Sequence, residues 1–111
     1  MFDHLSFGVH DLPRATAFYT RVLGTLGYKL QSDRPEEVAF GPGAEWTFVL
    51  YPAEEGTTVA GARMHLAFRA PSRAAVHAFF TAAVELGARQ VPDRLPAERP
   101  QFGADYFGAV V

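Results

Sequence analysis

The chain has 111 residues, no cysteine, a formal net charge of -2, and 49% hydrophobic against 20% charged residues. That describes one compact domain with a real core, and the missing thiols exclude disulfides, thiolate zinc sites and a cysteine nucleophile. No basic run could follow a nucleic-acid backbone, and neither a leader-like N-terminus nor an apolar run of about 18 residues occurs, so a soluble cytoplasmic protein without nucleic-acid or membrane partners is expected.

Residues 3–9 alternate, with Leu5, Phe7 and Val9 on one face and His4, Ser6 and Gly8 on the other, which predicts a strand with an apolar back. Asp11 stands where a helix N-cap belongs and Pro13 falls in the first turn, where its missing N–H costs nothing. Ala15, Phe18, Tyr19, Val22, Leu23 and Leu26 then recur with helical spacing, and Gly27 is a stop. Three strands are expected next: Tyr28 to Ser32, Glu37 to Phe40 and, after Gly41-Pro42-Gly43, Glu45 to Tyr51. Pro52 to Ala62 reads as a connector.

The second half replays the first at a constant offset. His65, Leu66 and Phe68 fall on His4, Leu5 and Phe7, Ser72 falls on Asp11, and Phe79 falls on Phe18. Met64 to Ala70 is therefore expected to be a strand, followed by a helix with Val76, Phe79, Phe80, Ala83 and Val84 buried and Gly87 as its stop. Strands near Ala88 to Val91 and from about Tyr106 to Val111 flank a loop containing Pro92, Pro96 and Pro100. The pattern predicts an α+β fold of two tandem βαβββ modules, residues 1–57 and 62–111, within a single domain. The second module shows two strands after its helix where the first shows three, so a final strand is expected to be missing.

The repeated histidines are the first candidates for chemistry. On strands, His4 and His65 point away from the apolar faces. If those strands lie side by side, about 4.8 Å apart, both imidazoles could reach one cation at about 2.0–2.1 Å. The plainer alternative is that each lines a polar surface. A catalytic metal needs a third donor, and Glu85, Glu98 and Asp105 are poorly placed to supply it. Arg69 shares the face of His65 and could hold an anionic substrate, or simply form a surface ion pair. His10 and His77 read as surface residues. Of Trp46, Phe48, Phe102, Tyr106 and Phe107, one or two are expected to wall a small-molecule pocket. No phosphate-binding glycine loop, dinucleotide fingerprint, nucleophile elbow or helical His-Glu-x-x-His is present.

Taken together, the chain resembles the vicinal oxygen chelate superfamily, the glyoxalase, bleomycin-resistance and extradiol-dioxygenase group. The resemblance is carried by Asp3-His4-Leu5-Ser6-Phe7, by Asp11-Leu12-Pro13 with Ala17-Phe18-Tyr19 and Leu26-Gly27-Tyr28, by His65-Leu66-Ala67-Phe68 with Ala70-Pro71-Ser72-Arg73, and by Tyr106-Phe107-Gly108-Ala109-Val110-Val111. It implies an open, cup-shaped mixed sheet with the helices outside. It also implies a divalent metal (Zn, Ni, Mn or Fe) held by histidines matching His4 and His65; Tyr106 or Arg69 is expected to orient substrate. The last family ligand is a Glu on an eighth strand, and the sequence halts where the turn before it would begin. A fourth ligand, used by glyoxalase-type members, would fall near Phe48 and is absent. The expected function is metal-dependent lyase or dioxygenase chemistry on a small oxygenated substrate. The alternative is non-catalytic binding or sequestration of a drug-like or aromatic compound. A homodimer is expected as well, because family members associate and Tyr106 to Val111 would otherwise leave an open edge.

Overall fold

The structure, a computed structural model, describes residues 1–111. Strand β1 (Leu5–Val9) leads into helix α1 (Leu12–Gly24), followed by β2 (Lys29–Arg34), β3 (Glu37–Gly41) and β4 (Phe48–Pro52). Helix α2 (Arg73–Glu85) comes next, and the short strands β5 (Ala97–Glu98) and β6 (Phe107–Gly108) close the chain. The fold is α+β, with one mixed four-stranded sheet in the order β1-β4-β3-β2 and a separate β5-β6 pair. No helix is long and apolar enough to cross a membrane.

Both helices begin and end by the same local chemistry. The Asp11 carboxylate accepts the Arg14 N–H at 3.0 Å, and the Ser72 hydroxyl accepts the Ala75 N–H at 3.1 Å. At the other ends, Gly27 and Gly87 take φ of +86° and +97°, the left-handed region that a side chain resists. Each lets the next residue's N–H turn back five positions, Tyr28 to the Leu23 carbonyl at 3.1 Å and Ala88 to the Ala83 carbonyl at 2.9 Å.

The core lies between the helices and one face of the sheet. Leu23, Val38, Phe40, Phe48 and Leu50 are essentially inaccessible there, and Tyr19 packs over Phe48 with ring centroids 4.9 Å apart. Burial pushes the Tyr19 phenol above its ordinary value of about 10, because the phenolate would lose solvent. A smaller cluster of Val22, Ala82 and Ala83 joins α1 to α2, and Arg21 pairs with Glu85 across the same seam.

The first half completes a βαβββ unit; the second half repeats its helix and not its strands. Residues 64–70 and 88–91 form no strand, and the expected strand 106–111 is reduced to Phe107–Gly108. Its partner is Ala97–Glu98, inside the Pro-rich loop, where no strand was expected. The expectation failed because side-chain alternation says nothing about whether a backbone finds a ladder. Segment 64–70 is held by Phe68 and Ala70, which pack on the main core, while the far edge of β1 stays unbonded.

Candidate functional site

The face of the sheet away from the helices is organised by a parallel pairing. β1 lies beside β4 with Leu5 opposite Phe48, Ser6 opposite Val49 and Gly8 opposite Tyr51. Because Phe48 and Leu50 point into the core, alternation sends Val49 and Tyr51 to the other side, in phase with Ser6 and Gly8. The Leu5 N–H donates to the Thr47 carbonyl at 2.9 Å, so the ladder extends back and brings Asp3 and His4 alongside Trp46.

The result is a hollow of about 380 Å³ lined by Asp3, His4, Glu45, Trp46, Val49 and Tyr51. Val49 is buried at its base, while Trp46 and Tyr51 are partly exposed, at 39% and 42%. The His4 Nδ1 lies 2.9 Å from the Asp3 carboxylate, which favours a ring with its proton on Nδ1 and Nε2 free. Neither Asp3 nor Glu45 pairs with any Lys or Arg; the chain's arginine ion pairs go to Glu37, Glu85 and Glu98.

The loop that carries Glu45 and Trp46 is latched from two directions. The register of β2 against β3 shifts between Leu30 and Ser32, and the side chain of the intervening Gln31 donates to the Gly43 carbonyl. At Gly41 the chain passes so close to the Glu45 carbonyl that a Cβ there would overlap it. This crossing also explains why β4 starts at Phe48, later than the Glu45 expected from sequence. The Thr47 N–H instead bonds the Phe40 carbonyl at 2.9 Å to close the loop.

Of the residues expected to carry chemistry, only His4 lines the hollow. His65 and Arg69 are exposed on the unpaired 64–70 segment, and Arg69 forms no ion pair. Tyr106 is 46% exposed in the C-terminal hairpin, its ring edge-on to Phe102 at 5.4 Å. Across the chain, no three His, Cys, Asp or Glu side chains come together as a metal-binding group. The residues present therefore do not fit the three-donor metal centre that the resemblance implies. A second concavity of about 390 Å³, between α1 and the turn after α2, contains Asp11, Arg14, Phe18 and Leu86 and none of the expected residues. Its one carboxylate, Asp11, is occupied as a helix cap.

Trp46 was expected as a pocket wall, whereas Asp3, Glu45 and Tyr51 were not. Tyr51 could have been found from its spacing, since it alternates with the apolar Phe48 and Leu50. Glu45 could not, because its approach depends on the crossing at Gly41.

This combination, an open mixed sheet with helices on one face and a small polar and aromatic hollow on the other, defines an open-sheet α+β domain. Residues 4–109 match the model of the glyoxalase-like domain, and the chain belongs to that family, within the vicinal oxygen chelate superfamily. It is similar in structure to a glyoxalase/bleomycin resistance protein from Albidiferax ferrireducens T118, with a TM-score of 0.77 and 29% sequence identity over 90% of this chain and 80% of that one. No curated protein matches the chain.

Proposed function

We propose that the chain binds a small organic molecule in the hollow between β1 and β4, as a binding or sequestration module. The observation that carries this is the convergence of Trp46 and Tyr51 with Asp3, His4 and Glu45 around one concavity. Aromatic walls with a few fixed polar groups are the usual lining of small-molecule sites. Trp46 is the only tryptophan, so its fluorescence reports directly on occupancy. Titration with a panel of aromatic and oxygenated compounds is expected to give saturable changes that Tyr51→Ala weakens. A panel that leaves Trp46 unaffected throughout would overturn the reading.

One observation favours a second, metal-dependent reading. Metal-binding histidines commonly have their other ring nitrogen held by a carboxylate, as Asp3 holds the Nδ1 of His4. In this reading His4 and His65 hold a divalent cation, Arg69 and Tyr106 orient an oxygenated substrate, and the activity is of the lyase or dioxygenase type. No three-donor group forms among these residues. Metal content measured after purification without chelator decides: stoichiometric metal, lost in a His4→Ala/His65→Ala variant, would favour it.

Residues 1–57 and 62–111 are read as two copies of one module. The support is two helices of 13 residues each, capped alike and stopped alike on left-handed glycines. A homodimer is proposed as well, supported by the unbonded outer edge of β1. A constant monomer mass by light scattering across micromolar concentrations would reject it.

A further inference from the structure

We infer that the ligand of this hollow is an organic cation, a compound presenting an ammonium group beside an apolar or aromatic body. The inference rests on the small-molecule reading above and adds the charge of the ligand. The walls are aromatic: Trp46 and Tyr51 are both partly open to solvent above the buried Val49. Aromatic rings attract cations through the negative potential of their faces, and tryptophan does so best.

The polar groups around those rings are two carboxylates and one imidazole. Asp3 and Glu45 are the charged residues of the lining, and no Lys or Arg joins them. Asp3 is bonded by His4 at 2.9 Å, and Glu45 forms no ion pair. With no Lys or Arg in the lining, these carboxylates beside a tryptophan and a tyrosine disfavour an anion and favour a positively charged guest. Arg69, the residue expected from sequence to hold an anionic substrate, does not line the hollow. The Glu45 carboxylate folds back against Gly43, and no three-donor group forms with His4, so the arrangement suits a diffuse ammonium better than a tightly coordinated metal ion.

The test compares benzyltrimethylammonium, benzyl alcohol and benzoate at matched ionic strength, read by Trp46 fluorescence on the whole chain. The ammonium is expected to bind about tenfold more tightly than the alcohol, with benzoate weakest. An Asp3→Asn/Glu45→Gln variant, checked for unchanged circular dichroism, should lower the ammonium-to-alcohol affinity ratio about tenfold. Equal binding of all three, or an ammonium affinity indifferent to the variant, overturns the cation inference and leaves small-molecule binding standing. A response to manganese chloride alone, with none to the ammonium, overturns it in favour of an inorganic ion. Silence to all the probes also overturns it, and the underlying reading falls with it only if the wider compound panel is silent too.

Discussion

The ring of Phe68 meets that of Phe48 nearly edge-on, with centroids 5.2 Å apart and planes at 77°. Phe48 lies in the centre of the first-half sheet, and Phe68 belongs to a segment that forms no strand. Phe68 also contacts Tyr28 at 6.1 Å and Phe79 at 6.4 Å, so one side chain ties the connector side of the second half to sheet and helix. Phe68→Ala should cost about 2–3 kcal/mol, below the usual range for a fully buried ring because Phe68 is only partly buried. Urea unfolding by circular dichroism measures it; a loss below about 1 kcal/mol would show that the segment is held by other contacts.

A second prediction concerns the close crossing at Gly41. Gly41→Ala places a methyl group against the Glu45 carbonyl, and backbone cannot swing aside as a side chain can. The expected cost is about 1–3 kcal/mol, with a shifted Trp46 emission because the displaced loop carries that residue. Unchanged emission together with unchanged stability would refute the crossing.

Alkaline pH should act through Tyr19. Its folded-state value is raised by burial, so above about pH 10 the unfolded chain releases this proton more readily than the folded one. The native state then binds more protons, and stability falls as pH rises above the unfolded value until the folded value is passed. A Tyr19→Phe variant should lose less stability than the wild type between about pH 9 and 11, measured by denaturant midpoints. Parallel pH profiles for the two proteins would count against burial as the cause.

The Arg21–Glu85 pair spans the two helices but is about half exposed on both sides, at 54% and 53%. Solvent screening should hold its coupling below about 1 kcal/mol in a double-mutant cycle. The neighbouring Val22, Ala82 and Ala83 contacts carry the seam instead, and Ala83→Ser is expected to cost more than the removal of either charge. A coupling energy above about 2 kcal/mol would reverse that ranking.

The helices were legible because their signals are local. Asp11 and Ser72 cap within three residues, and Gly27 and Gly87 stop within a turn. The first-half strands were legible because each has a neighbour close in sequence or a completed parallel partner. The strand expected at 64–70 was misread for the opposite reason: alternation fixed which side Phe68 takes and left the backbone partner undetermined. His4 lines the hollow on the open face, but the pairing that was to bring His65 beside it depended on that strand. Tyr51 was legible in its alternation with Phe48 and Leu50, whereas Asp3 and Glu45 join the hollow through the β1–β4 register and the Gly41 crossing, neither of which leaves a short-range mark.

The parallel register of β1 with β4 also sets when the hollow comes into being. Its two walls come from residues 3–4 and 45–51, and helix α1 with strands β2 and β3 lies between them in the chain. That loop must close, at an entropic cost no local contact repays, before Asp3 and Trp46 can meet. The register thus predicts that the hollow forms late in folding of the first half, and that a compound occupying it would slow unfolding more than it speeds folding.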